Sequence, residues 1–122
     1  MYERAGGASF FDGLIDRFYA GVDADPILRP LYPPDLEPSK DHLRMFLVQY
    51  WGGPRTYGEV RGHPRLRMRH APFAIGLPER DAWLSHMEAA VRAAGLPAED
   101  EAEMLDYFRS SATQLINTMG RR

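Results

Sequence analysis

The chain has 122 residues, enough for one domain with a real core. A formal charge of −2 beside 44% hydrophobic residues gives no reason to expect nucleic acid or an anionic membrane as a partner. Cysteine is absent, which excludes disulfides, iron–sulfur clusters and Cys-based zinc sites, so any metal must be held by His, Tyr, Met or carboxylate.

The first amphipathic pattern covers residues 9–22. Phe11, Leu14, Ile15, Phe18 and Val22 recur at helical spacing, and Ser9 is the expected N-cap. Gly6 and Gly7 just before it let any earlier helix turn sharply. A passage with Pro26, Pro30, Pro33 and Pro34 follows. It has room for one short helical turn around residues 27–29. Leu31 and Tyr32 make it too apolar for a free linker, so it should be packed down.

A second long helix is expected over residues 39–51, with Ser39, Leu43, Phe46, Leu47 and Tyr50 on one face. Gly52-Gly53-Pro54 stops it. Residues 55–63 carry no strong pattern and read as an irregular loop. Pro64 then opens a very short helix, since the first turn does not need its N–H. Pro72 closes that helix and moves Ala71 away from helical geometry.

The third long helix is expected from Glu79, after Pro78, to Ala94, with Gly95 as its cap. Its stripe is Trp83, Leu84, Met87, Ala90, Val91 and Ala94. The last covers residues 98–117, where Glu99, Asp100 and Glu101 suit the positive N-terminal end. Met104, Leu105, Phe108, Ala112, Leu115, Ile116 and Met119 form its apolar face. There is no β alternation and no repeat. The class is all-α, with two antiparallel helix pairs crossed over one another and able to enclose a flat ligand. No apolar run approaches a membrane span and the start of the chain lacks a signal pattern, so a single cytoplasmic domain over residues 1–122 is expected.

His70 lies in the short helix between Pro64 and Pro72. Leu66, Met68 and Phe73 flank it, with Arg65, Arg67 and Arg69. A histidine held between apolar contacts and arginines suits one chemistry well: ligation of a haem iron whose ring lies among apolar groups and whose propionates need cations. The competing reading is a solvated helix residue. His63, His86 and His42 have weaker cases, and His86 reads as surface or partly buried. No carboxylate pair is placed for acid–base work. There is also no phosphate-cradling glycine motif and no Ser-His-Asp arrangement.

The segments LRMFLVQYWGGPRTY at 43–57, RGHPRLRMRHAPF at 61–73 and ERDAWL at 79–84 carry a resemblance. So do Phe18-Tyr19 and Leu31-Tyr32-Pro33. Through them the chain resembles the truncated haemoglobins, specifically the group II branch. The resemblance implies a truncated globin fold, a two-over-two helical sandwich around haem b. It puts the proximal iron ligand on His70 and the distal residues on Tyr19, Tyr32 and Trp83. Leu43 and Phe46 become the distal apolar wall. Leu66, Met68, Phe73 and Tyr57 become haem contacts, and Arg67 and Arg69 the cations for the propionates.

Two positions depart from the group. Ser39 stands at the pocket entrance where alanine is usual, adding a hydroxyl near the distal residues. His42 stands where an arginine often reaches a propionate, and a histidine there can be uncharged at neutral pH. Tyr19, Tyr32 and Trp83 taken singly read as core aromatics. Taken together they supply two phenol O–H groups and one indole N–H to a ligand that gains negative charge.

The function implied is binding of dioxygen and other small gases. Nitric oxide dioxygenation and peroxide turnover are candidate reactions, and either needs an electron donor that the sequence does not identify. The alternatives are a non-enzymatic oxygen carrier or a gas sensor. Monomer and homodimer remain equally open.

Overall fold

The computed structural model describes residues 2–61 and 75–114. Among the described residues the helices in chain order are α1 (Tyr2–Ala5), α2 (Gly7–Asp23), α3 (Glu37–Tyr50), α4 (Thr56–Arg61), α5 (Leu77–Ala93) and α6 (Ala98–Gln114), with a 3-10 turn at Arg29–Leu31. No strand occurs among the described residues. The fold is a two-over-two helical sandwich: α2 packs on α3, α5 packs on α6, and α2 crosses α5 to join the pairs.

The core follows the apolar stripes. Phe11, Leu14, Ile15, Phe18 and Val22 of α2 have no exposed surface. They meet Met87 and Val91 of α5 and Met104 and Phe108 of α6. Side chains three and four apart on a helix share a face, so each stripe enters the core as a unit. Arg17 braces the crossing by donating from Nε and Nη2 to the Ala90 carbonyl at 3.2 and 3.0 Å.

Several boundaries differ from the sequence reading. Ser9 lies inside α2 and caps nothing. The chain instead turns at Gly6, with φ 120, and Gly7, with φ 67, and α2 starts there. A positive φ is cheap only for glycine, so this pair sets the start before serine can. α3 begins two residues earlier than Ser39 because Asp35 Oδ1 accepts the Glu37 N–H at 3.1 Å and Pro38 fits the first turn. Pro78 similarly lies within the first turn of α5, and Glu79 Oε1 reaches back to accept the Gly76 N–H at 2.7 Å. The turn expected at residues 27–29 forms at Arg29–Leu31, where Pro30 sits in its first positions.

The largest correction is α4, expected as irregular loop. Its helix is anchored from outside: Gln49 Oε1 accepts the Gly58 N–H at 2.8 Å, and the buried Tyr57 ring meets Phe46 edge-on at 5.4 Å. Tertiary contacts of this kind override a weak local pattern. Tyr50 also departs from its expected face. It is half exposed and stacks on Tyr107 at 4.1 Å, while Leu47 takes the buried place. Gly95, with φ 70, ends α5 as expected. The short helix carrying His70, and residues 115–119, lie outside the described residues. No described helix is long and apolar enough to cross a membrane.

α1 closes one end of the stack. Its Tyr2 N–H donates to the Trp51 carbonyl at 2.9 Å, the Tyr2 ring stacks on Phe11, and Arg4 pairs with Asp100 at 2.9 Å. Gly53 makes this closure possible. A methyl at Gly53 would lie 2.6 Å from Val48 Cγ1 and 2.8 Å from the Tyr2 ring. Gly53→Ala should therefore destabilise the protein by about 1–3 kcal/mol, the usual cost of overpacking. Urea unfolding of the two proteins checks this, with equal midpoints as the contrary result.

Candidate functional site

Tyr19, Tyr32 and Trp83 come together although they lie on three different elements. Tyr19 is in α2, directly after core residue Phe18, and is only 3% exposed. Tyr32 follows the 3-10 turn, and its ring meets that of Tyr19 at 5.7 Å and 83°. Trp83 lies on α5 between Phe18 at 5.1 Å and Phe108 at 5.8 Å. Core rings thus fix the positions of two of the three polar aromatics.

The turn that presents Tyr32 is held by Arg29. Its guanidinium donates to the carbonyls of Pro33 and Pro34 at 2.9 and 2.7 Å and pairs with Asp23 at 3.0 Å. A proline-rich turn offers carbonyls without matching N–H groups, and an arginine fork supplies the missing donors. Sequence reading did not single out Arg29. Its signal was an arginine immediately before a run of prolines.

Tyr19 and Trp83 both act on the Tyr32 phenol, each lowering its ionisation against the effect of burial. The Tyr19 hydroxyl donates to the Ser39 carbonyl at 3.4 Å, near the limit of a useful bond. Ser39 therefore enters the group through its backbone oxygen.

Burial raises the ionisation of Tyr19 far above the usual phenol range, and the neighbouring Tyr32 phenol adds to the shift. Burial also raises Tyr32, while its neighbours Trp83 and Tyr19 act in the opposite direction. Both phenols stay neutral donors at neutral pH.

Leu43 and Phe46 of α3 lie half-buried against the core, and Tyr57 of α4 is buried behind Phe46. Gln49, unremarked in the sequence, fixes α4 and so places Tyr57. His42 is half-buried on α3. A cavity of about 410 Å³ opens at the α3–α4 junction, lined by Phe46, Gln49, Tyr50, Gly52, Gly53 and Arg55. None of the three polar aromatics lines it. His70, Leu66, Met68, Phe73, Arg67 and Arg69 lie outside the described residues.

The buried phenols have a pH consequence. A tyrosine whose folded ionisation lies above its unfolded value near 10 favours the folded state below that pH. The contribution falls as pH rises above it, because only the unfolded chain can then lose the proton. Tyr19→Phe should flatten the loss of stability between pH 9 and about 11. Denaturant unfolding across that range checks it, and parallel pH profiles would contradict it.

Comparison with known proteins identifies the family and agrees with the fold. The family described as bacterial-like globin matches residues 1–117. The group 2 truncated haemoglobin YjbI of Bacillus subtilis is 39% identical over 111 residues, covering 91% of this chain and 84% of that protein. The crystal structure of haemoglobin from the thermophilic phototrophic bacterium Chloroflexus aurantiacus is 59% identical. It covers 95% of this chain and 96% of its own, with a TM-score of 0.93. The X-ray structure of a truncated oxygen-avid haemoglobin from Bacillus subtilis is 40% identical, covering 95% and 98%, with a TM-score of 0.89. The chain belongs to the bacterial-like globin family, within the group II truncated haemoglobins.

Proposed function

We propose that the chain is a single-domain cytoplasmic protein that binds haem b and, through it, dioxygen and other small diatomic gases. The observation that carries the reading is the convergence of Tyr19, Tyr32 and Trp83 in a member of the globin family. One relative, from Bacillus subtilis, is described as oxygen-avid.

The described residues fit a flat apolar group with a polar ligand beside it. Tyr32, Leu36, Leu43, Phe46 and Trp83 are large, pack on the core and yet stay only partly covered. Apolar surface of this kind gains from a further apolar cover at roughly 25 cal/mol per Å². Haem iron, when bound, supplies the coordination position at which such a gas is held reversibly.

His70 is the proposed proximal ligand, packed by Leu66, Met68 and Phe73. Arg67 and Arg69 are proposed to pair with the propionates, with Tyr57 and His42 as further polar contacts. Leu43 and Phe46 wall the distal side and keep water from it. Tyr19, Tyr32 and Trp83 offer two phenol O–H groups and one indole N–H to a polar diatomic ligand. Ser39 adds a small polar group at the entrance. Neutral donors of this sort favour a ligand carrying partial negative charge over an apolar one. They suit oxygen, nitric oxide and peroxide chemistry, with reducing equivalents from an external electron donor.

Two experiments test the reading. Purified protein should show a Soret band, and His70→Ala should lose the proximal Fe–His Raman band, with exogenous imidazole restoring a ligated spectrum. An unchanged band in the alanine variant removes His70 as ligand. Trp83→Phe keeps most of the ring and removes the indole N–H. Dioxygen release should then quicken by roughly two- to tenfold, the equivalent of one lost hydrogen bond, and carbon monoxide release should change less. Equal acceleration of both gases would point to steric gating instead.

A further inference from the structure

His86 and Asp25 meet away from the three polar aromatics but on the same three elements. His86 Nε2 lies 2.6 Å from Asp25 Oδ2. A carboxylate only accepts, so Nε2 carries the hydrogen and donates it. The pair is largely covered, with side-chain exposures of 28% for His86 and 14% for Asp25. Asp25 uses both oxygens: Oδ1 accepts the Ile27 N–H at 2.8 Å. The carboxyl is held below the usual range, chiefly by the bond from His86 and then by the Ile27 backbone.

The third element enters at Gly21. Any Cβ there would collide with the His86 imidazole, so the glycine lets the ring lie against the α2 backbone. α2 thus carries Tyr19 and, two residues on, Gly21. α5 carries Trp83 and, three residues on, His86. The intervening turn begins at Asp25 and ends at Tyr32. The turn's own backbone bonds, Arg29 N–H to the Asp25 carbonyl at 2.8 Å and Tyr32 N–H to the Arg29 carbonyl at 3.2 Å, connect its two ends.

We propose that His86 and Asp25 are positioning residues. They clamp the start of the turn to α5 and thereby set where the Tyr32 phenol stands against Trp83 and Tyr19. Discrimination between polar and apolar gases then depends on a pair set apart from the three polar aromatics. This rests on the function proposed above, but its structural half stands without it.

The test compares His86→Leu, His86→Gln and Asp25→Asn with wild type. Leucine removes the donor, and glutamine keeps an N–H near the Nε2 position. Asp25→Asn keeps an acceptor for Ile27 and loses the charge, and it serves if the leucine variant fails to fold. Glu88→Gln is the control, since it breaks the Arg109–Glu88 pair at 2.8 Å on the same helix α5. The first readout is amide hydrogen exchange at Leu31 and Tyr32 in the purified protein as isolated. The second is the ratio of dioxygen to carbon monoxide release rates.

His86→Leu should speed exchange at both amides and raise the gas ratio by about threefold to tenfold, the scale of one misplaced hydrogen bond. Glutamine should restore most of both effects, and Glu88→Gln should leave both unchanged. Unchanged exchange in His86→Leu and Asp25→Asn overturns the clamp. Faster exchange with an unchanged gas ratio overturns its positioning role. A wild-type protein that binds no gas overturns the functional reading instead, and leaves the exchange result to decide the clamp.

Discussion

The Phe18 ring has no exposed surface, and it meets Tyr19 at 5.0 Å and Trp83 at 5.1 Å. Those contacts tie the candidate site to the hydrophobic core. Burying one such ring contributes about 1.5–3 kcal/mol, and Phe11, Leu14, Ile15 and Val22 on the same stripe add theirs. α2 therefore does two things with adjacent residues. Its stripe joins the helix pairs, and the residue just beside the stripe presents a phenol. A site built this way inherits the rigidity of the core, because moving Tyr19 or Trp83 means opening packed rings.

The long helices were legible because burial imposes a period that composition cannot hide. Phe11 to Val22 predicted the inner face of α2, and Met87, Ala90 and Val91 that of α5. The failures have one cause: periodicity reports that a face is buried and is silent on what covers it. α4 forms because Gln49 and Phe46, on another helix, hold it. Ser9 looked like a cap, but the glycine backbone at Gly6 and Gly7 had already set the start of α2. The His86–Asp25 pair joins residues 61 positions apart and left no local trace.

The site was legible by a different route. Tyr19, Tyr32 and Trp83 each read as ordinary core aromatics, and only the resemblance to truncated haemoglobins grouped them. The structure adds how they are brought together: Tyr19 meets the Tyr32 ring edge-on, and Phe18 lies between Tyr19 and Trp83. The residues expected on the proximal side, His70 with its apolar and arginine neighbours, lie outside the described residues and keep the standing that the sequence gives them.

The choice of donor has a physical logic. Histidine or lysine in the same place would bring a charge that burial penalises and that a small shift in pH could remove. Phenol and indole stay protonated and neutral, and burial reinforces that state for Tyr19 and Tyr32. Neutral donors must then be aimed well, because a single hydrogen bond supports only about 0.5–1.5 kcal/mol of net preference. Aim comes from the turn. Pro26 and Pro30 within it limit its conformations, Arg29 satisfies the carbonyls of Pro33 and Pro34 just after it, and Asp25 ties its first residues to α5. The polar chemistry of the pocket thus depends on how tightly a short, hydrogen-bond-poor segment is fastened at its two ends.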